Sequence, residues 1–447
     1  AFSLAGGRTF ALPMKTPRLH SLDSLRAIMM LLGLVLHSAL TYNVTGHGDA
    51  WSLKDPNATH LATDFLTLLI HAFRMPTFFM IAGFFGALLF YERGRKKMIA
   101  NRISRIVFPF LVFLFVLFPF TVLAFTFSQE VFANQMHPLS ATFRFFVKAA
   151  NFIPNSTFHL WFLYYLTLIT ACTVLLAIML RRAPLLTSKT TAAFCWILPH
   201  PALRILSFTA LTYGLLLVLG TSMVNPSNRF VPELNTFLFY GLFYLVGWLL
   251  YRAKAHLPTL VRGAWTCTLL GLLLVITQGL VIQYGGLDLN LSDPAPILLL
   301  FSSLVVWLFV FGITGLFLRY GGNYSPVMRY VSDASYWVYL VHLPLTVFFP
   351  GVIAGWEIPA LAKFLIVLTL TTLLCFVSYH YLVRASFIGR FLNGRRYPQK
   401  LQQAEIVVVV GAAAGAKKGY RPAAHDRTAK DLPQGSRSPS QRTNVTL

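Results

Sequence analysis

The chain has 447 residues, of which 56% are hydrophobic, 15% aromatic and only 11% charged. Soluble domains are about 25% charged, so this composition excludes a soluble cytosolic enzyme and a disordered chain. The formal net charge of +23 does not point to nucleic acid either, because its distribution along the chain serves another purpose.

Residues 1–20 form a short basic segment. Ten apolar stretches follow, each long enough or nearly so to cross a hydrocarbon core of about 30 Å, which takes about 20 helical residues. They fall at 24–43, 67–90, 106–127, 159–180, 203–221, 234–251, 264–283, 296–318, 330–353 and 362–383. Each is continuously apolar, without the strict alternation of a barrel strand. The fold class is therefore all-α, a polytopic membrane domain over residues 21–385 with about ten transmembrane helices. The fifth stretch is the weakest, with Arg204 near its start and a fairly apolar loop before it. The longest outer loop, 128–158, contains Pro138, Pro154, Phe132, Phe145 and Phe146 and either dips back or lies on the membrane surface. Residues 386–447, rich in Arg, Lys, Gly, Pro and Ser, read as a basic, largely disordered tail. Cys172, Cys195, Cys267 and Cys375 show neither a CxxC pair nor zinc spacing.

Placing the N-terminus in the cytosol puts 30 of the 37 Lys and Arg residues on the cytosolic side and 5 outside. Only Lys54, Arg144, Lys148, Arg229 and Lys363 lie outside. This asymmetry orients the protein with both termini cytosolic, and it absorbs the basic excess. No nucleic-acid partner is expected; the lipid bilayer is.

Ionisable residues inside membrane helices are costly and mark functional sites by default. In the first helix, Arg26 and His37 are eleven residues apart, so they share one face at roughly 16 Å axial separation. Arg26 also reads as an arginine reaching to headgroups. The second helix holds His71 and Arg74 before Met75-Pro76, where Arg74 catalyses or braces the backbone near the proline. Arg102 and Arg105, before the third helix, share one face at i, i+3 spacing. They bind phosphates or simply add to the positive-inside charge. His342 in the ninth helix and His159 at the outer start of the fourth lie near the depth of His37. Trp161 stacks on a sugar ring or belongs to the interfacial aromatic belt. These residues make no metal-ligand pattern.

Leu22-Asp23-Ser24-Leu25-Arg26-Ala27 through His37, then Asn101-Arg102-Ile103-Ser104-Arg105, resemble the acyltransferase family 3 membrane proteins. That family has a basic residue, ten positions and a His in its first helix, and an Arg-x-x-Arg after the second. Further stretches are similar to its periplasmic-glucan succinyltransferase branch: His71 to Met75, Phe79 to Phe85, His159 to Leu163 and Tyr339 to Thr346. The resemblance covers about residues 20 to 385. Leu343 stands where some relatives have a second His, and the basic tail matches nothing in the family.

The resemblance implies acyl transfer from cytosolic acyl-CoA to an acceptor hydroxyl outside, at the bacterial inner membrane, with succinyl transfer to a periplasmic glucan the specific expectation. It implies His37, Arg74 and His342 as catalytic residues. Arg26, Arg102 and Arg105 would bind acyl-CoA, and His71, His159 and Trp161 would orient or contact the acceptor. Acyl-CoA is a co-substrate; no permanently bound cofactor is expected, and other glucan-synthesis proteins are candidate partners. O-acetylation of another exported polysaccharide or lipid-linked sugar is the alternative within the class. A proton-coupled transporter is the alternative outside it, against which stand the lack of an inverted repeat and of mid-helix Asp or Glu.

Overall fold

The computed structural model describes residues 19–135, 137–144, 152–221, 224–284 and 296–398. Phe145, Phe146, Arg8, Lys15, Arg18 and the tail beyond Pro398 lie outside them.

Ten helices are long and apolar enough to cross a membrane. They are α1 (His20–Leu40), α2 (Leu61–Arg93), α3 (Arg95–Phe132) and α4 (Phe158–Arg182). The non-spanning α5 (Pro184–Ile197) comes next, then α6 (Pro201–Leu219), α7 (Leu234–Arg252) and α8 (Ala264–Tyr284). The last are α9 (Pro296–Tyr320), α10 (Pro326–Val352) and α11 (Ala360–Val383), followed by the short α12 (Phe387–Asn393). The described residues thus form a multi-pass membrane protein, as the apolar periodicity indicates.

Local chemistry sets the boundaries. The His60 side chain accepts from Ala62 N and starts α2, and Gly94, at φ +84°, lets α2 turn directly into α3. Helix α10 starts on Pro326, with Ser325 capping Met328 N. Two features depart from the sequence reading. The apolar loop before α6 is itself helix α5, of 14 residues, too short to span; Leu185, Leu186 and Trp196 on it are exposed. Residues 386–398, read as tail, are folded. Tyr397 Oη accepts from Arg329 at 2.7 Å and donates to Asp333 at 2.8 Å, while Asn393 donates to the Asp333 carbonyl at 2.9 Å.

Helix α1 lies against α2, α9, α10 and α11, and α10 lies against α1, α3 and α11. The most extensive pairing is α2 with α7. Gly83 sits on the backbone of Tyr244 and Gly247 on that of Met80, so the two helices meet backbone to backbone. Lipid tails are as apolar as Leu, so close packing through small residues holds such helices together. His20 packs edge-on to Tyr324, placing the starts of α1 and α10 at one end of the bundle, with α12. We call this the basic end.

Candidate active site

Three histidines from three helices converge inside the bundle. The ring of His342 on α10 lies 5.3 Å from that of His37 on α1 and 5.3 Å from that of His159 at the start of α4. The backbone fixes two of them. His342 Nδ1 contacts the carbonyls of Tyr339 at 2.7 Å and Val338 at 3.1 Å. A carbonyl only accepts, so Nδ1 carries the proton and Nε2 is the lone-pair nitrogen. His159 Nε2 contacts the Leu340 carbonyl at 2.9 Å, so its Nδ1 is the lone-pair nitrogen. That carbonyl is free because Pro344, four residues on, has no N–H to return to it. Tyr339 Oη donates in turn to the His159 carbonyl at 2.8 Å. His342 Nε2, His159 Nδ1 and His37 Nδ1 are all buried and have no hydrogen-bond partner among the described residues.

His159 reaches this position through a strained turn. Phe158 adopts φ +42°, and Thr157 is tied to the Asn228 carbonyl by both N (2.8 Å) and Oγ1 (2.9 Å). Residues in such backbone conformations cluster at functional sites.

Arg74 enters from α2. Its Nε donates to the Met29 carbonyl at 3.1 Å, and it crosses α1 at Gly33, where any side chain would strike the guanidinium. Its terminal nitrogens have no partner among the described residues, and its charge reaches His37, His159 and His342. Beside it His71 is exposed, while Arg74 itself is buried.

The arginines of the basic end separate. A π-turn at Ile103–Val107 interrupts the α-helical register, so Arg102 and Arg105 do not share one face as their spacing suggested. Arg102 turns inward, with Nη2 3.4 Å from the Ala82 carbonyl, close to Tyr244 and Arg26. Its buried Nε has no partner among the described residues. Arg105 Nη1 instead donates to the carbonyls of Arg390 at 2.9 Å and Phe391 at 2.6 Å, capping the last turn of α12 as a cation at a helix C-terminus does. Arg26 pairs with Asp23 at 3.5 Å and stands over Phe85 at 5.5 Å. Trp161 makes its ring contacts with residues other than the three histidines. It packs in an aromatic layer with Tyr240 at 5.4 Å and Phe79 at 6.4 Å.

Three neighbours escaped the sequence reading. Trp51, in the loop between α1 and α2, stacks on His37 at 5.4 Å and 23°. Asp55 in that loop pairs with Lys363 on α11 at 2.9 Å, with both side chains 1% exposed. Tyr339 braces His159. A Trp and an acid beside a proline, in a loop otherwise short of apolar residues, were the available signals for the first two.

Fold and site together define a multi-pass membrane protein with three histidines converging inside its helical bundle. The acyltransferase family 3 model, an acyltransferase domain, matches residues 19–380, and the chain belongs to that family. It is a membrane acyltransferase. The chain is 26% identical over 382 residues to glucans biosynthesis protein C of Salmonella paratyphi B, and 27% identical over 392 residues to that of Salmonella heidelberg. Each alignment covers 85% of this chain and 95% of the relative. No solved structure matches the chain.

Proposed function

We propose that the protein takes an acyl group from acyl-CoA at the basic end and passes it to a hydroxyl of a glycan at the opposite end. The lysine and arginine asymmetry supports a cytosolic basic end and cytosolic termini, in the bacterial inner membrane. The observation that carries the reading is the convergence of three imidazoles with unshared nitrogens beside Arg74, at roughly 16 Å from Arg26 along α1.

Arg26 and Arg102 receive the donor phosphates, guanidinium forks being suited to them. Arg105 supports this site through α12 rather than by direct contact. The thioester arm extends along α1 to the histidines. His37 takes the proton of the acceptor hydroxyl as its oxygen attacks the thioester carbonyl; the C–S bond breaks and CoA leaves as the thiolate. Arg74 faces the oxyanion that develops on the carbonyl oxygen, and for a succinyl donor it also suits the free carboxylate. His342 and His159 place lone pairs beside His37 and orient it. His71 faces the arriving acceptor. Direct transfer is preferred to an acyl-histidine intermediate. No permanent cofactor is needed.

The names of the relatives support a glucan acceptor, with other glucan-synthesis proteins as partners; succinyl is the donor group we favour. The test is acyl transfer in proteoliposomes, with labelled succinyl-CoA or acetyl-CoA on one side and glucan on the other. Label reaching glucan from succinyl-CoA, lost in folded His37→Ala by a factor on the order of 10²–10⁴, is the expected result. Transfer from acetyl-CoA alone replaces the donor group, and turnover retained in His37→Ala removes the mechanism.

A further inference from the structure

The loop between α1 and α2 is built as a seal over the histidines. Trp51 is 5% and Leu53 2% exposed, and they pack with Leu40 of α1, Ala124 of α3 and Leu343 of α10. The indole lies face to face with His37, and Phe125 stands against its edge at 5.4 Å and 70°. Trp51 Nε1 donates to Thr41 Oγ1 at 3.2 Å, which fixes the ring in its plane.

The backbone under the ring is pinned at several points. Asp55 N donates to the Thr41 carbonyl and His60 N to the Tyr42 carbonyl, each at 2.9 Å. Ser52 Oγ accepts from Gln129 of α3 at 2.9 Å, and the buried Asp55–Lys363 pair ties the loop to α11. A surface loop needs none of this. An indole held flat on an imidazole that has no other partner on Nδ1 limits which way that imidazole turns and which molecules reach it.

We infer that Trp51 is a positioning residue that excludes water from His37 and so sets the partition between acyl transfer and loss of the acyl group to water. This rests on the reading of the protein as an acyl-CoA-dependent transferase. Without the seal, a water molecule takes the acceptor's place. Its oxygen attacks the thioester carbonyl, His37 takes its proton, the C–S bond breaks, and the products are the free carboxylic acid and CoA thiol. With the seal, the acceptor hydroxyl enters from the side of His71, where the bundle leaves accessible surface.

Two readouts on Trp51→Ala and Trp51→Phe test this. The first is carbethoxylation of His37 by diethyl pyrocarbonate, followed on the peptide that carries it by mass spectrometry. It needs no knowledge of the substrate. Trp51→Ala is expected to raise the His37 rate at least tenfold, with Trp51→Phe between it and wild type. The exposed His200, between α5 and α6 and outside this loop, serves as an internal standard that does not change. The second is thiol release from succinyl-CoA or acetyl-CoA without glycan, expected to rise at least fivefold in Trp51→Ala and to fall back in Trp51→Phe. An unchanged His37 rate in folded, monodisperse Trp51→Ala overturns the inference. If that variant does not fold, equal rates in Trp51→Phe and wild type overturn it. A raised His37 rate with no thiol release from any variant supports the seal and refutes the acyl-CoA reading instead.

Discussion

Lys363→Met isolates the restraint on the loop that carries Trp51. Lys363 Nζ lies 2.9 Å from Asp55 Oδ2 and 3.0 Å from the Ala354 carbonyl. On the other oxygen, Asp55 accepts from Asn57 N at 2.9 Å and Ala58 N at 3.0 Å. Removing one partner of a buried pair costs about 3–5 kcal/mol, because a desolvated charge is left behind. The two remaining N–H donors keep this case near the lower figure. At about 1.4 kcal/mol per factor of ten, a loss of about 3 kcal/mol multiplies the population of the locally open loop by up to ~150.

Amide hydrogen exchange reads that population directly. Asp55 N and His60 N close the loop on α1 through Thr41 and Tyr42. Peptides spanning these amides are expected to exchange on the order of 100-fold faster in Lys363→Met, while peptides from the middle of α1 are unchanged. Adding Asp55→Asn removes the orphaned charge and restores most of the protection, since a buried pair gains little over neutral replacements. Exchange within threefold of wild type in Lys363→Met would refute the reasoning, as would an equal rise throughout α1, which would show global rather than local loosening.

Gly33→Ala puts a methyl group where the Arg74 guanidinium crosses α1. Alanine favours the helix by about 1 kcal/mol, so thermal stability is expected to hold while transfer falls by roughly 10²–10³, the usual loss of an oxyanion donor; full activity would place Arg74 outside the chemistry. Arg102→Ala is expected to weaken acyl-CoA binding in a calorimetric titration, whereas Arg105→Ala is expected mainly to release residues 386–398 to limited proteolysis. Equal losses of affinity in both would restore the paired role that the sequence suggested. His47, outside the spanning helices, bonds to Asn43 at 2.8 Å, and burial lowers its pKa against the opposing pull of Asp64. The opened loop therefore binds more protons than the closed one, and closure weakens as pH falls through about 6.5, the ordinary histidine value. Loop exchange, corrected for intrinsic rates, is expected to rise between pH 7.5 and 5.5, and His47→Gln to flatten that slope.

The spans were legible because a membrane imposes one requirement on every residue in it. Continuous apolarity over about 20 positions has no other common cause, and each of the ten stretches contains a helix at the expected place. The common depth of His37, His159 and His342 was legible too, since axial rise is counted from helix starts. Which helices touch was not, because lipid-facing and protein-facing residues are equally apolar. The separation of Arg102 from Arg105 depends on a single π-turn, which i, i+3 spacing does not register. Asp55 and Lys363 lie 308 positions apart, and Lys363 alone read only as one of the few outer cations.

The prolines of α10 show how a spanning helix is turned into a scaffold for chemistry. In an unbroken helix each carbonyl is spoken for by the N–H four residues on. Pro344 releases the Leu340 carbonyl, and that one acceptor fixes the protonated nitrogen of His159 on a different helix. His342, two residues before the proline, fixes its own tautomer on the carbonyls of Val338 and Tyr339. His342 Nε2 and His159 Nδ1 are therefore the lone-pair nitrogens of two rings whose centroids lie 5.3 Å apart. An imidazole that takes a proton from a hydroxyl becomes a cation, and in an apolar bundle that cation needs an acceptor for its other N–H. His37 Nδ1 has no partner at rest, and the His37 ring lies 5.3 Å from that of His342, where a neighbour presenting an N–H would oppose the step. The backbone of α10 thus sets which nitrogen of His342 and of His159 carries the proton and which is left without a partner.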